Sequence, residues 1–207
     1  MFITFEGLDG SGKTTQIRLL AERLKTENHS VQVLREPGGT VISEKIREIL
    51  LSKSHSEMSP IAEMLLFSSA RAQLVYEIIQ PLLKKNIIVI CDRFVDSTTA
   101  YQGFGRGIAL ESISAINSIA TQLLFPNITF FIDIPVNESL RRRRNSQKQL
   151  DRMEIGEEEY FHNIHRGFTY LLKNEPERFL RIDGMQTIES IHNDIWNILS
   201  IRIVSSN

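Results

Sequence analysis

The sequence predicts an α/β fold, a parallel five-stranded sheet flanked by helices. Three observations carry that expectation. Short runs rich in β-branched and aromatic residues recur at 2–5, 31–34, 87–91, 128–132 and 179–182. Longer stretches with helical spacing separate them, and strands that alternate with helices are the pattern of βαβ units. The run Ile87-Ile88-Val89-Ile90-Cys91 is apolar throughout, as a central parallel strand covered on both faces should be.

Each element follows from local chemistry. The first run enters a glycine-rich turn and then a helix near 13–28, whose apolar positions include Ile17, Leu20 and Leu24. A second helix is expected near 40–52. A third, near 59–84, starts with Ser59 as N-cap and Pro60 at its first position. Helices are further expected near 109–124, 136–145, 154–174 and 187–202, and none between 92 and 108. With no repeat, low-complexity stretch or Pro/Gly/Ser linker, residues 1–207 read as a single domain. Charge is densest from Arg141 to Glu154, which is expected to form an exposed lid near 141–153.

Composition narrows the function. Hydrophobic residues make up 42% and charged residues 24%, which excludes a disordered chain. Lys plus Arg number 24 against 25 Asp plus Glu, a net charge of −1. That balance argues against a partner bound through bulk charge, so neither nucleic acid nor a membrane is expected. Acids follow the Arg141-Arg142-Arg143-Arg144 run and no aromatics interleave it, which also speaks against a nucleic-acid patch. The lone Cys91 suits a reducing compartment. The N-terminus lacks the pattern of a signal peptide, and no run nears the ~18 apolar residues of a membrane span. A cytoplasmic location is expected.

Gly7-Leu8-Asp9-Gly10-Ser11-Gly12-Lys13-Thr14 matches G-x-x-x-x-G-K-[ST] between a strand and a helix, the context that this phosphate-binding loop requires. Glycines let backbone N–H groups approach phosphate oxygens, and the helix N-terminus adds a favourable field. Lys13 is expected on the β- and γ-phosphates of a nucleoside triphosphate, and the Thr14 hydroxyl on Mg²⁺. No N-K-x-D guanine reader is present, and the chain is short for a helicase. Asp92-Arg93 leave the carboxyl end of the strand 87–91, where ligands gather in open α/β sheets. Asp92 is expected to serve Mg²⁺, and Arg93 to clamp a phosphate. Cys91 reads as a buried structural thiol, and the histidines, His162 and His165 included, as surface residues without a third metal ligand.

The stretch Asp92-Arg93-Phe94-x-x-Ser97-Thr98-x-Ala100-Tyr101-Gln102-Gly103 resembles the signature of thymidylate kinases. Together with residues 7–14 and Arg35-Glu36-Pro37-Gly38-Gly39-Thr40, the resemblance spans nearly the whole chain. It implies the nucleoside monophosphate kinase type of P-loop fold, transfer of the γ-phosphoryl group of ATP to dTMP with Mg²⁺, and a homodimer. Phe67 and Arg71 lie i, i+4 on one helix face, so a ring and a guanidinium can reach one spot. In the family such a pair stacks thymine and meets its O4. The Gln102 amide suits the imide edge of the base. The resemblance further implies Ser97 near the ring, Tyr101 against the sugar, Glu36 on its 3′-OH and Arg47 on the nucleotide. Asp9 is expected at the sugar or the metal shell. Because the phosphate loop carries no arginine, the chain resembles the bacterial type, whose lid supplies arginines. Arg144 is the expected catalytic one, then Arg141, with Lys148 and Arg152 adding charge. The loop after Gly184 is implied to pack near adenine. Rival readings are the same chemistry on another acceptor, and a nucleotide-dependent switch with no small acceptor.

Overall fold

The computed structural model describes residues 1–145, 151–155 and 157–204. Its strands are β1 (Phe2–Glu6), β2 (Val31–Arg35), β3 (Ile88–Asp92), β4 (Ile128–Asp133) and β5 (Phe179–Asp183). They form one parallel sheet in the order β2-β3-β1-β4-β5. The reversal of strand order falls at β1, between β3 and β4. The carboxyl ends of these three strands therefore open beside one another, where ligands bind in such sheets.

Side chains alternate across the strands and divide the core between two faces. Ile3 and Phe5 of β1, with Phe130 and Ile132 of β4, pack against α1 (Lys13–Thr26) and α9 (Ile188–Val204) through Ile17, Leu20, Ile191 and Ile195. On the other face Phe2, Val89 and Cys91 meet Leu74, Val75 and Ile79. These belong to α3 (Pro60–Leu74) and the π-helical turn Val75–Ile79 that joins it to α4 (Gln80–Lys84). The expected helix over 59–84 thus forms with a π-turn inside it, capped as expected by Ser59, whose Oγ accepts from Ala62 N. Toward β5, Phe131 and Phe179 stack with Phe168 of α8 (Glu158–Asn174). Beneath the central strands, Thr4 and Thr129 share a hydrogen bond of 2.8 Å. Thr129 reaches Asp96, which Arg178 binds through both terminal guanidinium nitrogens. A buried carboxylate on that face is therefore fully paired.

Three expectations change. Residues 95–105 are helical: α5 (Val95–Thr98) runs into the π-helical segment Thr99–Gly105. Their β-branched residues and two glycines disfavour a helix locally, and packing against α8 overrides that propensity. Secondly, α8 begins at Glu158 rather than 154. A 3₁₀ turn, Arg152–Glu154, precedes it, with Asp151 and Glu154 forming a capping box. Finally, the expected lid is exposed only in part. Residues 141–145 continue α7 (Val136–Asn145), whereas Arg152 and Met153 are buried. Lys148 lies outside the described residues. The remaining helices are α2 (Val41–Leu51) and α6 (Leu110–Thr121).

Gly167 sets how closely α8 approaches the 99–105 segment. A Cβ there would stand 2.7 Å from the Ala100 Cα and 3.0 Å from the Phe104 ring. Backbone cannot yield as a flexible side chain can, so Gly167→Ala should cost about 1–3 kcal/mol through overpacking. Urea denaturation is the check, with a lower midpoint at unchanged slope expected.

Candidate active site

The phosphate loop begins where β1 ends. Gly7, Gly10 and Gly12 have φ of 136°, 81° and 99°, a region that glycine alone enters freely. At Gly7 the constraint is double, because a Cβ would also sit 2.5 Å from the Ile132 carbonyl oxygen. The loop delivers the chain to the N-terminus of α1, an anion-binding position. Lys13 Nζ lies back over the loop and donates to the carbonyls of Gly7 and Leu8, both at 3.0 Å. Burial and the neighbouring Arg93 lower its pKa, against the pull of Asp9, Asp92 and Glu6. Thr14 Oγ1 donates to Asp92 Oδ2 at 3.1 Å. This pairs a hydroxyl with a carboxylate, hard oxygen donors that fit Mg²⁺.

Arg93 joins the loop to the end of β3. Its Nη1 donates to Gly7 O at 3.0 Å and Ser97 Oγ at 3.2 Å, and its Nη2 to Asp9 Oδ1 at 2.7 Å. The guanidinium lies 5.1 Å from the centroid of the Tyr101 ring, whose hydroxyl is 3.5 Å from Asp9 Oδ2. Burial would raise the Asp9 pKa, but Arg93 and Lys13 hold it down at about 2. Arg93 itself has φ of 70°, a costly conformation for a side chain of this size. Glu6, which sequence reasoning passed over, holds that turn. Fully buried, it accepts from Phe94 N at 2.8 Å, Ser97 N at 3.2 Å and Ser97 Oγ at 2.6 Å. Burial pushes its pKa up to about 7, although Arg93 opposes the shift. An acidic residue ending an otherwise uncharged strand was the signal available for it.

The loop, Asp92 and Arg93 open into a cavity of about 560 Å³, also lined by Glu36, Arg47, Phe67, Arg71, Ser97, Tyr101 and Gln102. The expected acceptor residues thus converge on one space. Their partners differ from expectation in places. Arg71, expected toward a base carbonyl, is buried and already committed: Nε donates to Glu36 Oε2 at 2.8 Å, Nη1 to Asn117 Oδ1 at 3.0 Å and Nη2 to Phe94 O at 3.1 Å. Glu36 Oε1 is buried without a protein partner. Arg47 donates to Pro37 O at 2.7 Å. Gln102 Nε2 donates to Glu63 Oε1 at 2.9 Å.

The arginine run resolves by helix geometry. At about 100° per residue, successive side chains on α7 leave in different directions. Arg142 and Arg143 line the cavity, whereas Arg144 is exposed and does not, contrary to the expectation from sequence. Arg142 Nη1 donates to Gly10 O at 3.1 Å, and Arg142 Nη2 to Gly184 O at 3.5 Å. Arg143 donates to Glu154 O and lies over the Phe161 ring. Arg141 is tied to Glu138 on the surface. Arg152, expected to add charge at the phosphates, is buried against Glu63 at 2.6 Å. His165 is not merely superficial: its Nε2 lies 2.7 Å from Asp133 Oδ1. Among the described residues no cluster of His, Cys, Asp and Glu could hold a metal by itself.

The family model for thymidylate kinase matches residues 5–195. The chain belongs to the thymidylate kinase family. A thymidylate kinase of Caldanaerobacter subterraneus subsp. tengcongensis is 50% identical over 191 residues, covering 92% of this chain and 90% of that protein. One from Exiguobacterium sp. is 45% identical over 203 residues, covering 98% and 95%. The crystal structure of thymidylate kinase from Ehrlichia chaffeensis superposes with a TM-score of 0.78 at 37% identity, covering 97% of this chain and 98% of that one. Membership and the parallel five-stranded sheet agree with the fold class read from sequence.

Burial raises the Glu36 pKa from 4.5 to about 7, although Arg71 opposes the shift. Between those values the unfolded chain releases a proton that the folded chain keeps, so stability falls as pH rises through the window. In Glu36→Gln that slope should be shallower by up to about 1.4 kcal/mol per pH unit. Urea titrations of both proteins from pH 4.5 to 7.5 check this. Glu6 contributes equally to each, so the difference isolates Glu36.

Proposed function

We infer that this chain transfers the γ-phosphoryl group of ATP to dTMP, giving ADP and dTDP, the reaction of its family. What carries the reading is one continuous cavity lined both by the phosphate loop and by the acceptor set of Glu36, Phe67, Arg93, Tyr101 and Gln102. A nucleotide switch has no use for that second half.

The acceptor phosphate oxygen attacks the γ-phosphorus as the bond to the β-phosphate oxygen breaks, and ADP leaves. No protein nucleophile is required, so positioning and fixed charge supply the catalysis. Lys13 and the α1 N-terminus take the donor phosphates. Arg93 exchanges protein acceptors for phosphate oxygens, a change that leaves its charge paired throughout. Mg²⁺ would be held by Thr14 and, directly or through water, Asp92; bound to phosphate oxygens, it would offset their charge. Asp9 keeps Arg93 aimed and stays ionised. On the acceptor, the orphaned Glu36 Oε1 accepts from the sugar hydroxyl, with Tyr101 against the sugar ring and Phe67 against the base. Arg71 orients Glu36, while Arg47, with Ser97, completes the wall. Of the α7 arginines we assign Arg142 and Arg143 to the phosphates, since these two border the cavity.

We further propose a homodimer. α2 packs on α3 and α3 on α6, and all three leave large apolar side chains exposed, among them Ile42, Ile49, Ile61, Leu65 and Ile119. Such surface on one side of a molecule suits association. A single domain and a cytoplasmic location complete the proposal, supported by the buried free Cys91. Among the described residues no helix is long and apolar enough to cross a membrane.

ADP release with ATP and Mg²⁺ should require dTMP, with the ribose analogue and thymidine both poorer acceptors. Lys13→Met and Arg93→Ala should each lower kcat by about 10²–10³-fold, the range for lost charge stabilisation. ATP hydrolysis indifferent to dTMP would overturn the acceptor assignment. Ile119→Glu, at a residue 77% exposed, should leave the fold intact and shift sedimentation toward monomer.

A further inference from the structure

Behind the cavity wall lies a carboxylate that the reaction does not use. Glu63 is 1% exposed and does not line the cavity. Its Oε1 accepts from Gln102 Nε2 at 2.9 Å and Arg106 Nε at 3.1 Å, and its Oε2 from Arg106 Nη2 at 3.1 Å and Arg152 Nη1 at 2.6 Å. Arg152 Nε in turn donates to Leu50 O at 2.8 Å. One buried anion thereby ties α3, the 99–105 segment, the end of α2 and the 3₁₀ turn Arg152–Glu154 together.

We propose that Glu63 is a positioning residue that fixes which end of the Gln102 amide faces the base. The proposal rests on the reading of Gln102 as a base contact. An ionised carboxylate is acceptor-only, so the NH₂ end of the amide is the only one it can hold. A flipped amide would set its carbonyl against a carboxylate oxygen in a dry site, a repulsive and unsatisfied arrangement. Two arginines keep the anion ionised despite its burial. Gln102 therefore offers its carbonyl Oε1 to the cavity and asks the base for a donor. The N3–H of a 4-keto pyrimidine supplies one, whereas the unprotonated N3 of cytosine does not. Selection of the base would then be set by a residue that never touches it.

The test uses 5-methyl-dCMP, which keeps the ring and methyl group of dTMP but has an unprotonated N3 and a 4-amino group. Wild-type enzyme should prefer dTMP by at least about tenfold in kcat/KM, tenfold being the worth of one hydrogen bond in a closed site. Glu63→Gln can present an NH₂ to Gln102 and frees the flip; Glu63→Asp keeps the charge but withdraws it from Gln102. In both, the preference should fall by about threefold or more, with the change in KM for the two acceptors and KM for ATP unchanged. A folded variant of either kind that keeps the wild-type preference overturns the proposal. Failure of the wild-type enzyme to discriminate would instead overturn the Gln102 contact itself, and the proposal with it.

Discussion

The site depends on one carboxylate at the end of a strand. Glu6 closes β1, fully buried, and its oxygens hold the backbone of Phe94 and Ser97 together with the Ser97 hydroxyl. That grip maintains Arg93 in a left-handed conformation that a lone turn would abandon. From there the guanidinium bridges Gly7 and Asp9, so the ends of β1 and β3 share one charge. Without Glu6 the two halves of the cavity lose their common anchor. The energetic logic is that of any buried ion: the cost of desolvation is offset only where opposite charge or hydrogen-bond donors meet it.

The same logic recurs across the molecule. Asp96 with Arg178, Glu36 with Arg71, and Glu63 with Arg106 and Arg152 are each carboxylates buried to below a tenth of their exposed surface and matched by arginines. These pairs fix directions rather than add much net stability. Around the acceptor half, the directions matter most. Arg71 aims Glu36, and Glu63 aims Gln102, so the groups facing the cavity are set from behind.

Helix irregularity serves the same end. Two π-helical turns, Val75–Ile79 and Thr99–Gly105, interrupt the helices, and the second borders the cavity. A wider turn changes which side chains face one way, and such turns often occur at functional sites. The second brings Tyr101 and Gln102 to the cavity while Ala100 contacts α8 at Gly167. Close backbone contact there leaves the segment little freedom to revert to a regular helix.

Local pattern was enough for much of this molecule. Runs of apolar residues placed the five strands to within one residue at each end. The spacing of Gly7, Gly12, Lys13 and Thr14 determined the phosphate site, because the chemistry of that loop is carried by consecutive backbone. Asp92 and Arg93 were legible from their position just past a buried strand. Other features are non-local. Helix 95–105 was invisible because its own residues disfavour it and α8 imposes it. The commitments of Arg71 and Arg152 depend on partners 35 and 89 residues away in sequence. The choice of Arg142 and Arg143 over Arg144 is rotational phase on α7, set by what that helix packs against. Sequence by itself determined the sheet, the phosphate loop and which residues come to line the cavity. Tertiary structure alone decided which way their side chains point, because a buried charge takes its direction from whichever partner the fold brings within reach.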